Sequence, residues 1–172
     1  MKFQFYHEKL IDSEEYQKFT KEHPDAFACS GFFVLDVLNK GKENKATIDF
    51  WLPKEKKMYS FKIDGKTEFV NVDNFDPRIP EKLSMNYDFD LKDFEKLIEE
   101  KMEQEKLKGS MQKILFSLQK LEGKDYLVTT TFLNNFGLLK ININLANKEI
   151  TFFEKKSFLD MLKIVKNKKK KD

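Results

Sequence analysis

Cys29, Asp36, Asp49 and a few paired carboxylates are the side chains that could carry chemistry in this 172-residue sequence. Cys29 is the only cysteine; Ser30-Gly31 follows it, and His23 precedes it by six residues. A cysteine nucleophile acts as the thiolate and needs a base beside it in an electropositive, partly exposed setting. Ala28, Phe32 and Phe33 instead point to a buried strand, where a free cysteine packs as a small apolar side chain. The pairs Glu14/Glu15, Glu99/Glu100 and Glu103/Glu105 fall on helical stretches among lysines. General acid–base work asks for a carboxylate with a raised pKa in an apolar cleft, and solvated helix faces do not supply one. Asp36 and Asp49 have apolar neighbours, and strand alternation sets Asp49 on the face opposite Ile48 and Phe50. One cysteine excludes an intramolecular disulfide and a cysteine-based zinc cluster, and two histidines, His7 and His23, are few for a metal site. No glycine-rich phosphate loop occurs; the Gly-Lys pairs at 41, 65 and 123 read as hairpin turns. No catalytic residue, metal or cofactor is expected.

Charge divides the chain. Residues 163–172, KIVKNKKKKD, hold six lysines and one aspartate, whereas the remainder is mildly acidic against a total of +3. Lys166, Lys168, Lys169, Lys170 and Lys171 could neutralise a polyanion without reading its sequence. Arg78 is the only arginine, which argues against base-specific nucleic-acid recognition.

The elements that must position these residues fall into two halves. Asp12, with Glu15 three residues on, reads as the cap of a helix from about Ser13 to Glu22, with Ile11 and Tyr16 as its staple. Four strand-like runs follow: AFACSGFFVLDVL, ATIDFWLP, MYSFKI and KTEFVNV. Asp64-Gly65, between the last two, is a strong short-hairpin signal, and Gly65 is expected at positive φ. Residues 73–89, with Pro77 and Pro80, read as a connector. After it Asp90 caps a second helix, with Phe89 and Phe94 as staple and Gly109 as the stop. Four more strands follow: MQKILFSLQKL, YLVTTTFL, LLKININL and EITFFE. Ser157 and the spacing of Phe158, Leu159, Leu162 and Val165 suggest a C-terminal helix before the lysine tail.

The expected fold is therefore α+β: a helix-then-meander half over 1–72, the connector, a second such half over 90–155, and a C-terminal helix and tail over 156–172. An internal duplication is expected, with the halves closing face to face on one core. The stretch DLKDFEKLIEE, its meander and ININLANKEITFFE resemble PepSY-type domains, which have a cystatin-like layout of a helix on an antiparallel sheet. That resemblance implies an inhibitory or regulatory binding module and supplies no catalytic residues. FWLPKEKKMYSFKIDGKTEFV is similar in style to strands of periplasmic lipoprotein carriers.

Function then follows from surfaces rather than motifs. Several strands are apolar on both faces, and helices can cover only one. The leading expectation is a non-enzymatic regulatory or adaptor module engaging a protein partner by a sheet face or edge, with Trp51, Tyr59, Phe61 and Phe69 as the surface to test. The 18 phenylalanines also allow a carrier of an apolar ligand in a Phe-lined cavity. A nucleic-acid accessory acting through the tail is third, and a homodimer is compatible with all three. MKFQFYHEKL lacks the apolar core of a secretory signal, and no run is long enough to span a bilayer, so a cytoplasmic location is expected.

Overall fold

Period-two alternation of apolar residues, with β-branched and aromatic side chains, drives eight runs of the described residues into strands. The computed structural model describes residues 1–72 and 79–157, and the side chains of all of these except 71 and 72. The strands are β1 (Phe27–Asp36), β2 (Lys45–Leu52), β3 (Lys57–Lys62), β4 (Glu68–Val72), β5 (Met111–Leu121), β6 (Lys124–Leu133), β7 (Gly137–Asn144) and β8 (Glu149–Ser157). They form one antiparallel sheet in the order β4-β3-β2-β1-β5-β6-β7-β8. Each half is a meander, and the two meanders are joined where β1 pairs with β5, from Ser30↔Gln119 to Asp36↔Lys113. The expected face-to-face closure is thus replaced by an edge-to-edge seam. Pairing β1 with β5 satisfies the backbone groups of two long strands that would otherwise be sheet edges.

Three described helices pack on one face: α1 (Phe3–Ile11), α2 (Glu14–Glu22) and α3 (Leu91–Gln104). The α1 helix was not anticipated. Ser13, not Asp12, caps α2, accepting a bond from the Tyr16 N–H at 3.3 Å, while Asp12 closes the end of α1. Asp90 caps α3 as expected, taking the Lys92 N–H at 3.0 Å, and Phe89 meets Phe94 edge-on with centroids 5.8 Å apart. The α3 stop is not Gly109: Lys106, at φ 52°, takes the left-handed position just past Glu105. Residues 79–89 run without helix or strand, yet Leu83 and Phe89 are buried, and the Leu83 N–H bonds Ala28 O at 2.8 Å.

The core lies between these helices and the near face of the sheet. Phe3 and Leu10 of α1, Phe19 of α2 and Phe94 and Ile98 of α3 meet Phe33, Ile48, Phe61, Phe116 and Ile141 there. Rings fill it edge to face: Phe19–Phe61 at 5.2 Å, Phe19–Phe50 and Phe50–Phe61 at 5.6 Å. Such packing adds about 1 kcal/mol per pair beyond area burial. A tight two-residue turn occurs at Glu122-Gly123, both at positive φ, between Leu121 and Lys124. Asp64-Gly65 is not such a turn. Residues 63–67 bridge β3 and β4, and Gly65 is not in the left-handed region. The expected helix at 158–165 and the lysines at 166 and 168–171 lie outside the described residues, while Ser157 ends β8.

Candidate functional site

No described helix packs on the far face of the sheet, and that face carries both a polar row and two exposed rings, Phe32 and Phe152. Its geometry begins with an irregularity in β1. The pairing passes from Ala28↔Phe50 to Ser30↔Asp49, so Cys29 is an extra residue bulged out of the ladder. The bulge turns Ser30 onto the far face beside Asp49, while Ala28 stays in the core. Ser60 of β3 pairs with Asp49 from the other side. The result is a Ser–Asp–Ser row: Ser30 Oγ donates to Asp49 Oδ2 at 2.5 Å and Ser60 Oγ to Asp49 Oδ1 at 2.6 Å. Burial pushes the Asp49 carboxyl above its ordinary value of 3.8, and the two hydroxyl donors pull it only partly back. Cys29 Sγ lies 3.5 Å from Asp49 O and 3.8 Å from Met58 Sδ. Burial first, then the Asp49 charge, push its thiol up to about 12. At neutral pH it is a protonated, packed side chain, and its place is structural.

Asp36 occupies the other end of β1. Its carboxylate accepts bonds from the Asn39 and Glu43 N–H groups at 3.2 and 3.1 Å and from the Asn39 amide, closing the β1–β2 loop. Burial alone would raise its pKa; these donors and Lys113 outweigh it and hold the group below the ordinary range.

One row further along, the register Phe32↔Ser117↔Val128↔Asn142↔Phe152 crosses β1, β5, β6, β7 and β8. Phe32 and Phe152 keep 38% and 44% of their surface exposed. With strands about 4.8 Å apart they stand roughly 19 Å from each other, with smaller side chains between. Both rings lie in runs that are apolar on both faces, so alternation does not mark them as outward, and only the seam between the halves brings them into one row.

The four aromatics singled out from sequence do not share a surface. Trp51 is buried on the far face, opposite Phe27 and Met58. Phe61 is fully buried in the core on the near face. Tyr59 and Phe69 are also on the near side, stacked at 4.8 Å and 9° at the β4 edge. Beside them, a cleft of about 250 Å³ is lined by Glu15, Lys18, Phe19, Glu22, His23 and Phe69. A second cleft, of about 340 Å³, lies between α1 and residues 84–88 and takes in Gln4, His7, Glu8, Tyr87 and Asp88. Burial lowers the pKa of His7, partly countered by Glu8, so its imidazole is neutral at pH 7. The Tyr87 hydroxyl accepts from the Ser84 N–H at 3.3 Å and donates to Asp125 at 3.0 Å, which ties residues 84–87 to β6. Among the described residues no group of three or more His, Cys, Asp or Glu side chains could hold a metal ion.

No family model and no curated protein sequence matches the chain. Among solved structures, a "putative lipoprotein" from Clostridium difficile 630 is similar over 87% of this chain and 99% of its own, at 13% identity and a TM-score of 0.46. Among the described residues no helix is long and apolar enough to cross a membrane.

Proposed function

We propose that the protein is a non-enzymatic regulatory or adaptor module that binds a protein partner through the sheet face on which no described helix packs. The observation that carries this is the row ending in Phe32 and Phe152, two exposed rings on a face where no described helix packs. Aromatic anchors set around a shallow, mixed surface are the usual centre of a protein interface. The face is favoured over the β8 edge. The outer strand β8 carries Glu154, Lys155 and Lys156, charges of the kind that discourage another strand from adding. The side chains with chemical potential serve the scaffold: Cys29 packs, Asp49 ties three strands and Asp36 closes a loop. In the core, Phe19, Phe50 and Phe61 pack on one another. A lone buried cysteine suits a reducing, cytoplasmic compartment. We also read the halves as an internal duplication of a PepSY-type unit, since both meanders run outward in sequence order from the β1–β5 seam.

Phe32→Asp and Phe152→Asp test the reading. Proteins crosslinked to the wild-type chain in its own cells are identified, and the affinity of the best of them is measured with each variant. Each substitution is expected to weaken binding at least tenfold without lowering the melting temperature. Equal affinity for wild type and both variants would remove the far face from consideration.

A further inference from the structure

We propose that the cleft between α2 and β4 is a binding site for an organic ammonium group. This rests on different residues from the partner surface and stands or falls apart from it. The cleft forms where α2 passes over the outer strand β4, with Phe69 on one side and Glu15, Lys18, Phe19, Glu22 and His23 on the other.

Aromatic rings line the cleft. Tyr59 stacks flat under Phe69, which fixes the ring while 44% of its surface remains exposed. Phe19 approaches Phe69 at 5.4 Å and 52°, and His23 leans on Phe19 at 5.1 Å. Aromatic faces carry negative potential, and a cation within about 6 Å of a ring centroid is drawn to it. Alkylated ammonium groups profit most, because they shed water more cheaply than a bare metal ion and also bury methyl groups.

Two carboxylates, Glu15 and Glu22, line the cleft against one ammonium, Lys18. Lys18 is held toward Glu22 at 3.9 Å, and Glu15 forms no ion pair with a described residue. Glu55, 3.4 Å from His23 Nδ1, adds a carboxylate behind the imidazole. A neutral apolar guest would gain only from burial here; an ammonium gains from burial, rings and carboxylates together. The volume, about 250 Å³, suits a trimethylammonium head with a short stem rather than a drug-sized molecule.

The probes are choline and its uncharged isostere 3,3-dimethyl-1-butanol, titrated into the full chain while the Phe19 and Phe69 ring resonances are followed by NMR. Choline is expected to shift both rings saturably, and the isostere to bind at least tenfold more weakly. Phe69→Leu, which keeps apolar volume but removes the ring, is expected to weaken choline about tenfold. Glu15→Gln, at a half-buried position outside the core, weakens it severalfold. Equal binding of choline and its isostere would overturn the proposal. So would no shift with choline in the tens of millimolar, or unchanged affinity in both variants. Phosphocholine and a trimethyl-lysine peptide then separate the sources: the tighter probe says whether the ammonium comes from a lipid headgroup or a protein, and either order supports the site.

Discussion

Asp49 and Asp36 sit on neighbouring strands and respond to pH with opposite sign. The Asp49 pKa is raised in the folded state, so folded protein holds this proton more tightly than unfolded chain. Its contribution is fully present below the ordinary value of 3.8 and is lost as pH rises through the folded pKa. Asp49→Asn removes the titration and keeps an acceptor for one serine. The melting temperature of the variant relative to wild type is expected to rise from acid to neutral pH, and a flat difference would refute the assignment. The Asp36 pKa is lowered, so its contribution holds above the ordinary carboxylate value and fails as pH falls through the folded pKa. A third residue makes a simpler case. Thr131 is fully buried on β6, and its Oγ1 has no hydrogen-bond partner among the described residues. Thr131→Val keeps the shape and removes a hydroxyl that water can no longer solvate, so denaturant titration should show a gain of about 1 kcal/mol. None of this was legible in the sequence beyond the outward placement of Asp49. Ser30 becomes its partner through the bulge at Cys29, and Ser60 through strand register, and neither leaves a local signal.

At the scale of elements, the strands were readable and one helix was not. Alternation such as Leu139, Ile141 and Ile143 against Lys140 and Asn142 reports a strand with one buried face wherever it occurs. The α1 helix carries Phe3, Phe5, Tyr6 and His7, residues of middling helix propensity, and its N-cap Lys2 makes no side-chain cap bond. It is helical because Phe3 and Leu10 are buried against the sheet, a tertiary cause. Asp64-Gly65 departs from the expected hairpin turn for a related reason. Lys9 of α1 reaches over to that loop and donates to Ile63 O at 2.8 Å and Gly65 O at 2.6 Å. A helix ammonium, rather than a turn conformation, anchors the connection. Lys9→Met should keep the stem's packing and cost about 1 kcal/mol, with faster amide exchange confined to residues 63–68. Unchanged exchange there would show that the loop holds itself.

Across the whole molecule, what the sequence could not convey was the joining of the halves. Hydrophobic pattern says that a strand has a buried face; it does not say which strand lies beside it. The seam gives the far face its extent, since Phe32 and Phe152 belong to different halves. It also sets a gradient of protection. Central β1 and β5 are paired on both sides, whereas β4 and β8 are outermost among the described strands. Native-state hydrogen exchange should find the slowest amides in β1 and β5 and faster ones in β4 and β8. Uniform protection would mean that the sheet opens only as a whole.

The β1–β5 seam also bears on how the chain reaches this state. Its hairpins join neighbours in sequence and can close within microseconds, but Ser30 must find Gln119 across about half of the chain. That pairing carries the largest loop-closure entropy of any in the sheet, so it is the natural bottleneck of folding. During synthesis the first meander emerges well before β5 exists. For that interval β1, long and rich in phenylalanine, is an open edge, and the nascent chain is most exposed to aggregation there.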